Sequence, residues 1–128
     1  MKSILLLLIT SLTLTDSAIA SLPKVFIENC YDGDTCTTLK GETIRLACID
    51  TPELKGKRAK PKEAIAAKNF LNEMIRGKKV SIRRITEDKY GRTVGELIFN
   101  GENLQELLVK EGHAEIYKKY SKPCKWAS

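Results

Sequence analysis

Two short acidic segments stand out as places where chemistry could occur: Asp32-Gly33-Asp34-Thr35 and Asp50-Thr51-Pro52-Glu53. Hard carboxylate oxygens of this kind suit Ca²⁺ or Mg²⁺ rather than softer metals. The first segment is not an EF-hand. That loop needs Gly at its sixth place and Glu at its twelfth, where this chain has Thr37 and Thr43. Taken alone, each segment reads as a turn, the second with a proline that fixes the backbone. Two arginines change the reading. Arg45 leads towards Asp50, and Arg92 closes the turn that Asp88 opens. Singly, an arginine beside carboxylates is a salt-bridge partner. Together these groups are what phosphodiester hydrolysis requires. A cation neutralises a non-bridging phosphate oxygen. Planar guanidinium groups hold two oxygens at once and stabilise the charge of the transition state. A carboxylate activates the attacking water, which contributes about 10²–10⁴-fold.

The elements that must position these residues follow from periodicity. Lys24 to Ile27 and Thr35 to Leu39 read as short strands, and Thr43 to Ile49 as a clearer one. In the third, period-two alternation puts Ile44, Leu46 and Cys48 on one face and Arg45 on the other. Lys40-Gly41-Glu42 turns the second strand into the third. A loop over residues 54–62 carries Lys55, Lys57, Arg58, Lys60 and Lys62. Pro61 suits the first turn of a helix, where its missing N–H costs nothing. Ala64, Ala67, Leu71, Met74 and Ile75 follow at helical spacing, and Gly77 ends it. Val80 to Ile85 and Thr93 to Phe99 are two more strands, joined through Asp88-Lys89-Tyr90-Gly91-Arg92. After Asn100-Gly101 comes a short helix bearing Leu104, Leu107 and Leu108, with Gly112 at its end. The predicted fold is α+β, mainly β. It is a five-stranded Greek-key OB-fold barrel with a helix between strands 3 and 4 and a second short helix after strand 5. A ferredoxin-like sandwich would need a helix after its first strand, and none is predicted there.

Hydrophobic residues at 42% and charged residues at 30% exclude a disordered tail and a polytopic membrane protein. The net charge of +6 favours polyanionic partners. Lys2, the apolar run Ile4 to Leu14 and Ala18-Ile19-Ala20 read as a secretory signal peptide over residues 1–20, cleaved after Ala20. The apolar run is too short for a bilayer, which takes roughly 20 residues. Residues 21–128 then form one domain, secreted or periplasmic, a monomer with no stable membrane association. Its four cysteines are Cys30, Cys36, Cys48 and Cys124. In an exported chain they are expected to pair, although four cysteines allow three connectivities and the sequence does not choose among them. Zinc fits poorly, since no C-x-x-C occurs and His113 is the only histidine.

Three segments in order carry a specific resemblance: Tyr31-Asp32-Gly33-Asp34-Thr35; Ile44-Arg45-Leu46 running into Asp50-Thr51-Pro52-Glu53; and Asp88-Lys89-Tyr90-Gly91-Arg92. They resemble the signature segments of the staphylococcal nuclease (thermonuclease) family, and the similarity covers roughly residues 24–120. The resemblance implies a Ca²⁺-dependent, sugar-nonspecific nuclease that cleaves DNA and RNA by attack of water on phosphorus. On that pattern Asp34 and Asp50 are carboxylate ligands of Ca²⁺, with the backbone carbonyl of Thr51 beside them. Glu53 is the general base. Arg45 and Arg92 grip the scissile phosphate, and Arg92 also eases departure of the 5′ oxygen. Lys89 and Tyr90 meet a terminal phosphate, and Tyr117 or Tyr120 stacks on the base. The family commonly has a third helix, which would begin about where this sequence reaches Ser128. Stability is therefore expected to lean on the cysteine bridges, each worth about 2–4 kcal/mol.

Other residues have plainer expectations. The basic loop is either a solvated run or a rim that tracks phosphates. Trp126 is expected to be partly buried, and His113 to be structural. The alternative to an enzyme is a non-catalytic oligonucleotide-binding OB module, distinguished by binding without cleavage.

Overall fold

The computed structural model describes residue 3 and residues 21–128; Ser3 apart, the predicted leader and its cleavage point lie outside the described residues. Strands β1 (Lys24–Cys30), β2 (Thr35–Thr38) and β3 (Thr43–Leu46) form an antiparallel meander. A two-residue strand, β4 (Ile49–Asp50), follows, and then helix α1 (Pro61–Ile75). Beyond it, β5 (Lys79–Glu87) and β6 (Thr93–Phe99) pair antiparallel. β5 lies beside β1, with Val25 opposite Val80. β6 runs parallel to β3, with Arg45 opposite Val94, and that pairing closes the sheet on itself. The result is the five-stranded barrel expected of an OB fold. A short β7 (Glu102–Asn103) hooks back on β6 and leads into α2 (Leu104–Lys110). A final β8 (Glu115–Ile116) pairs with β4.

Both helices begin and end as their sequences dictate. Pro61 occupies the first turn of α1. Ala64, Ala67, Leu71 and Ile75 form its buried stripe. The chain leaves through Gly77 in the left-handed region, φ 74°. Asn103 caps α2, its side chain accepting the Glu106 N–H at 3.0 Å. Inside the barrel, Ile27, Ile44, Leu46, Ile82 and Leu97 pack against Leu71 and Ile75 of α1 and Leu104 and Leu108 of α2. Burying each such side chain contributes roughly 1.5–3 kcal/mol. Gln105 is fully buried without penalty, because its amide bonds both the N–H and the carbonyl of Leu97.

The third strand departs from expectation. Ile44 and Leu46 do face the core, but the pleat stops there. Cys48 adopts a left-handed backbone, φ 69°, unusual for a residue with a Cβ, and the chain resumes as β4 in a second, two-stranded sheet. Cys48 therefore leaves the face of Ile44 and Leu46 and packs with Ala47 and Cys124 in a separate small cluster. Disulfides join Cys30 to Cys36, directly opposite each other on β1 and β2, and Cys48 to Cys124. Among the described residues no helix is long and apolar enough to cross a membrane.

Candidate functional site

Gly33 explains how the first acidic loop sits. A Cβ there would lie 2.7 Å from the Ala67 Cβ and 3.0 Å from Thr51 Cγ2, so only glycine lets the loop press against α1 and the segment after β4. Asp32 Oδ1 accepts the Asp34 N–H at 3.0 Å, which fixes the turn. Asp34 is thereby buried and turned towards Thr51. Its Oδ2 accepts the Thr51 hydroxyl at 2.9 Å and the Thr51 N–H at 3.3 Å.

Arg45 comes from the β3 face opposite Ile44 and Leu46. The irregular turn after Leu46 curls around its guanidinium, which donates to the carbonyls of Leu46 (2.6 Å) and Ile49 (2.9 Å). The same Nη2 lies 3.4 Å from Asp34 Oδ2 and 4.0 Å from Asp50 Oδ1. Asp34, Arg45, Asp50 and Thr51 thus lie together in one constellation. Glu53 is exposed just beyond it, near enough to Asp50 for its charge to be felt.

Negative charge is in excess here. Asp34 and Asp50 lie within 4.0 Å of the one guanidinium, with Asp32 beside Asp34 and Glu53 near Asp50. Burial, followed by the Asp34 charge, pushes Asp32 up to about 6. Burial also raises Asp50, helped by Asp34 and Glu53 and opposed by Arg45. Among the described residues no three His, Cys, Asp or Glu side chains are grouped as a metal cage. The donors present are hard oxygens with unneutralised charge, and that fits a hydrated divalent cation held by few protein ligands.

The second half of the site lies on the β5–β6 turn. Asp88 organises it. Its Oδ1 accepts the N–H groups of Tyr90 and Arg92, each at 2.9 Å, and its Oδ2 accepts Arg92 Nε at 2.7 Å. Gly91, φ 79°, supplies the left-handed residue this turn needs. The Lys89 ammonium lies 5.2 Å and the Arg92 guanidinium 5.5 Å from the centre of the Tyr90 ring. Arg45, Lys89, Tyr90, Arg92, Tyr117 and Tyr120 all line one open cavity of about 700 Å³. Tyr117 and Tyr120 meet edge to face with centroids 4.9 Å apart, and both keep exposed ring surface. Asp34, Asp50, Thr51 and Glu53 are not among its lining residues; Arg45 is the side chain common to the acidic cluster and the groove.

The sequence placed Asp88 at this turn and Asp32 in the first acidic segment without assigning either a role, and the part played by the Thr51 hydroxyl was not read from it. The signal for Asp88 was present, since an Asp two residues before Tyr90 and three before Gly91 is the spacing of a side-chain-closed turn. Trp126 is partly buried, as expected. The His113 ring packs on Phe70 at 4.6 Å, and half-buried Trp126 donates its Nε1–H to Glu96 at 2.7 Å. The lysines and arginine of the 54–62 loop are exposed.

Residues 43–127 match the family model described as staphylococcal nuclease homologue. The staphylococcal-like nuclease CAN1 of Arabidopsis thaliana is 38% identical over 86 residues, covering 65% of this chain and 25% of the plant protein. An uncharacterized endonuclease of Haemophilus influenzae is 36% identical over 94 residues, covering 70% of this chain and 50% of the relative. Endonuclease YncB of Bacillus subtilis is 29% identical over 116 residues, covering 82% of this chain and 53% of that protein. The chain thus spans about a quarter to a half of the length of these curated relatives.

Proposed function

The chain belongs to the staphylococcal nuclease family, and from that membership we propose that it is an exported, Ca²⁺-dependent nuclease hydrolysing the phosphodiester bonds of DNA and RNA. The observation that carries this reading is Arg45, which reaches an acidic cluster on one side and lines, with Arg92, a cationic and aromatic groove on the other. Phosphate chemistry needs that juxtaposition of anionic and cationic halves. Solvated surface charge does not create it.

The ion would be held by Asp34, Asp50 and the Thr51 carbonyl. When bound, Ca²⁺ supplies positive charge against a non-bridging phosphate oxygen. Glu53, exposed beside Asp50, takes a proton from the attacking water. The water oxygen then bonds to phosphorus, and the bond from phosphorus to the 5′ oxygen breaks. Arg45 and Arg92 hold the non-bridging oxygens as negative charge grows on them, and Arg92 also eases departure of the 5′ oxygen. Lys89 and Tyr90 meet a terminal phosphate on the same groove. Tyr117 and Tyr120 offer ring faces to an unpaired base, so single-stranded or frayed substrate is cut faster. The protein acts as a monomer, outside the cytoplasm, with residues 1–20 removed and no stable membrane association. Two disulfides accord with that compartment.

A cleavage assay on DNA and RNA with Ca²⁺, Mg²⁺ or chelator tests the activity and the ion together. Cleavage of both polymers with Ca²⁺ and none with chelator is expected. Undiminished cleavage in chelator would refute the metal role, and binding without cleavage under any condition would leave only the oligonucleotide-binding module.

A further inference from the structure

One wall of the groove is built by the tail of the chain. Tyr117, Tyr120 and Pro123 line it from an arc of chain that belongs to neither the barrel nor a long helix. The Tyr117 N–H donates to the Cys48 carbonyl at 2.8 Å, just after β8 pairs with β4. At the far end Cys124, fully buried, is bonded to the Cys48 sulfur. Both ends of the arc therefore close on a single residue. Between them the chain is wound tightly, with Tyr120 N–H donating to the Tyr117 carbonyl (2.9 Å) and Cys124 N–H to the Ser121 carbonyl (3.0 Å). The left-handed backbone of Cys48 lets one residue present carbonyl and sulfur to the same tail. Cys48 itself lines the groove, in the turn between Arg45 and Asp50.

We propose that Cys48 is a positioning residue for substrate binding: the Cys48–Cys124 bridge closes the Tyr117–Cys124 arc into a rigid wall that sets the two tyrosine rings facing Arg45 and Arg92. The phosphate-handling groups are held by backbone carbonyls beside Cys48 and by Asp88, not by the bridge itself: Arg45 by the Leu46 and Ile49 carbonyls, and Arg92 by Asp88. Opening the bridge therefore weakens capture of the nucleotide more than it slows the chemical step. The tail keeps two further ties, Arg83 to the Pro123 carbonyl at 2.9 Å and Trp126 to Glu96. They attach its distal end to β5 and β6 and touch neither Tyr117 nor Tyr120.

The inference rests on the nuclease reading for its chemistry, so its test reads binding and cleavage separately. The Cys48→Ser/Cys124→Ser double variant is compared with wild type and with Ile75→Val, a core change in α1 that lowers stability away from the groove. Folding is checked by circular dichroism. The Kd for a fluorescently labelled single-stranded oligonucleotide and the KM for its cleavage are expected to rise about tenfold in the double variant, with kcat within about twofold. Ile75→Val should shift the melting temperature and leave Kd unchanged. Removing the Tyr117 ring by Tyr117→Ala should weaken binding in wild type and add little in the unbridged variant, because the ring is already misplaced there. Unchanged Kd and KM in a folded double variant would overturn the proposal, as would a fall in kcat with KM unmoved. If the double variant does not fold, amide exchange on wild type decides. The Tyr117 N–H should be protected like barrel amides, and exchange at the rate of an open chain would refute the rigid wall. A wild type that binds the oligonucleotide without cutting it would defeat the nuclease reading while leaving the binding comparison intact.

Discussion

Glu53 and Arg45 occupy the same acidic neighbourhood but differ in freedom, and their substitutions should read differently. Arg45 is largely buried, with its guanidinium bonded to two carbonyls and near two carboxylates. Glu53 is exposed, and among the described residues no hydrogen bond or ion pair holds its carboxylate. A general base in such a place is free to meet water and contributes little to the fold. Glu53→Gln is therefore expected to lower the cleavage rate by about 10²–10⁴-fold while oligonucleotide affinity and melting temperature stay near wild type. Rate and affinity measured on one preparation check this, and a wild-type rate would remove Glu53 from the reaction. Residue types alone pointed to the two acidic segments and to Arg45 and Arg92, and the family resemblance singled out Asp34 and Asp50 within those segments. What they could not show is that Arg45 spans the cluster and the groove. That depends on the irregular turn at Ala47 and Cys48, and alternation predicted a continuous strand through it.

Among the elements, β6 carries the polar knot that holds the tail to the barrel. Glu96 is buried there and accepts from Arg83, Asn103 and Trp126. Burial alone would raise its pKa, but these donors, led by Arg83, outweigh burial and hold the carboxyl below its ordinary value of 4.5. The folded state thus favours the charged form. The stability Glu96 contributes is complete above the unfolded value of 4.5 and is lost as pH falls through the lower folded value. Thermal unfolding should show the midpoint falling on acidification below about 4.5. Glu96→Gln should lower the midpoint at neutral pH and flatten that acid dependence. An unchanged acid slope in Glu96→Gln would assign it to other carboxyls. The helices and β6 were legible from spacing, because Pro61, Gly77 and the Ala64–Ile75 stripe each have a local cause. The two-residue strands β4 and β8 were not. They exist only because distant segments meet, and so few residues carry no periodic signal.

At the scale of the molecule, the closed barrel was predictable from element order, whereas the cysteine pairing was not. Cys30 and Cys36 meet through the β1–β2 register, which sets them directly opposite each other. Cys48 and Cys124 are 76 positions apart and meet only because the tail returns to the β3–β4 turn. The net charge of +6 pointed to a polyanionic partner, and the groove gathers Arg45, Lys89 and Arg92 where such a partner would lie. Export belongs to this scale as well. Mass spectrometry of the protein recovered from outside the cytoplasm should find a chain beginning at Ser21 with both bridges formed. A form that stays inside the cell with residues 1–20 intact would refute export.

In the proposed reaction Arg45 serves the acidic cluster and the phosphate groove at once, and single-turnover cleavage of a short single-stranded DNA with Ca²⁺ tests this directly. Lysine keeps the charge but cannot hold two oxygens in one plane, so Arg45→Lys should remain folded and cleave at least about 10²-fold more slowly than wild type. Cleavage by the folded Arg45→Lys protein at the wild-type rate would contradict the account.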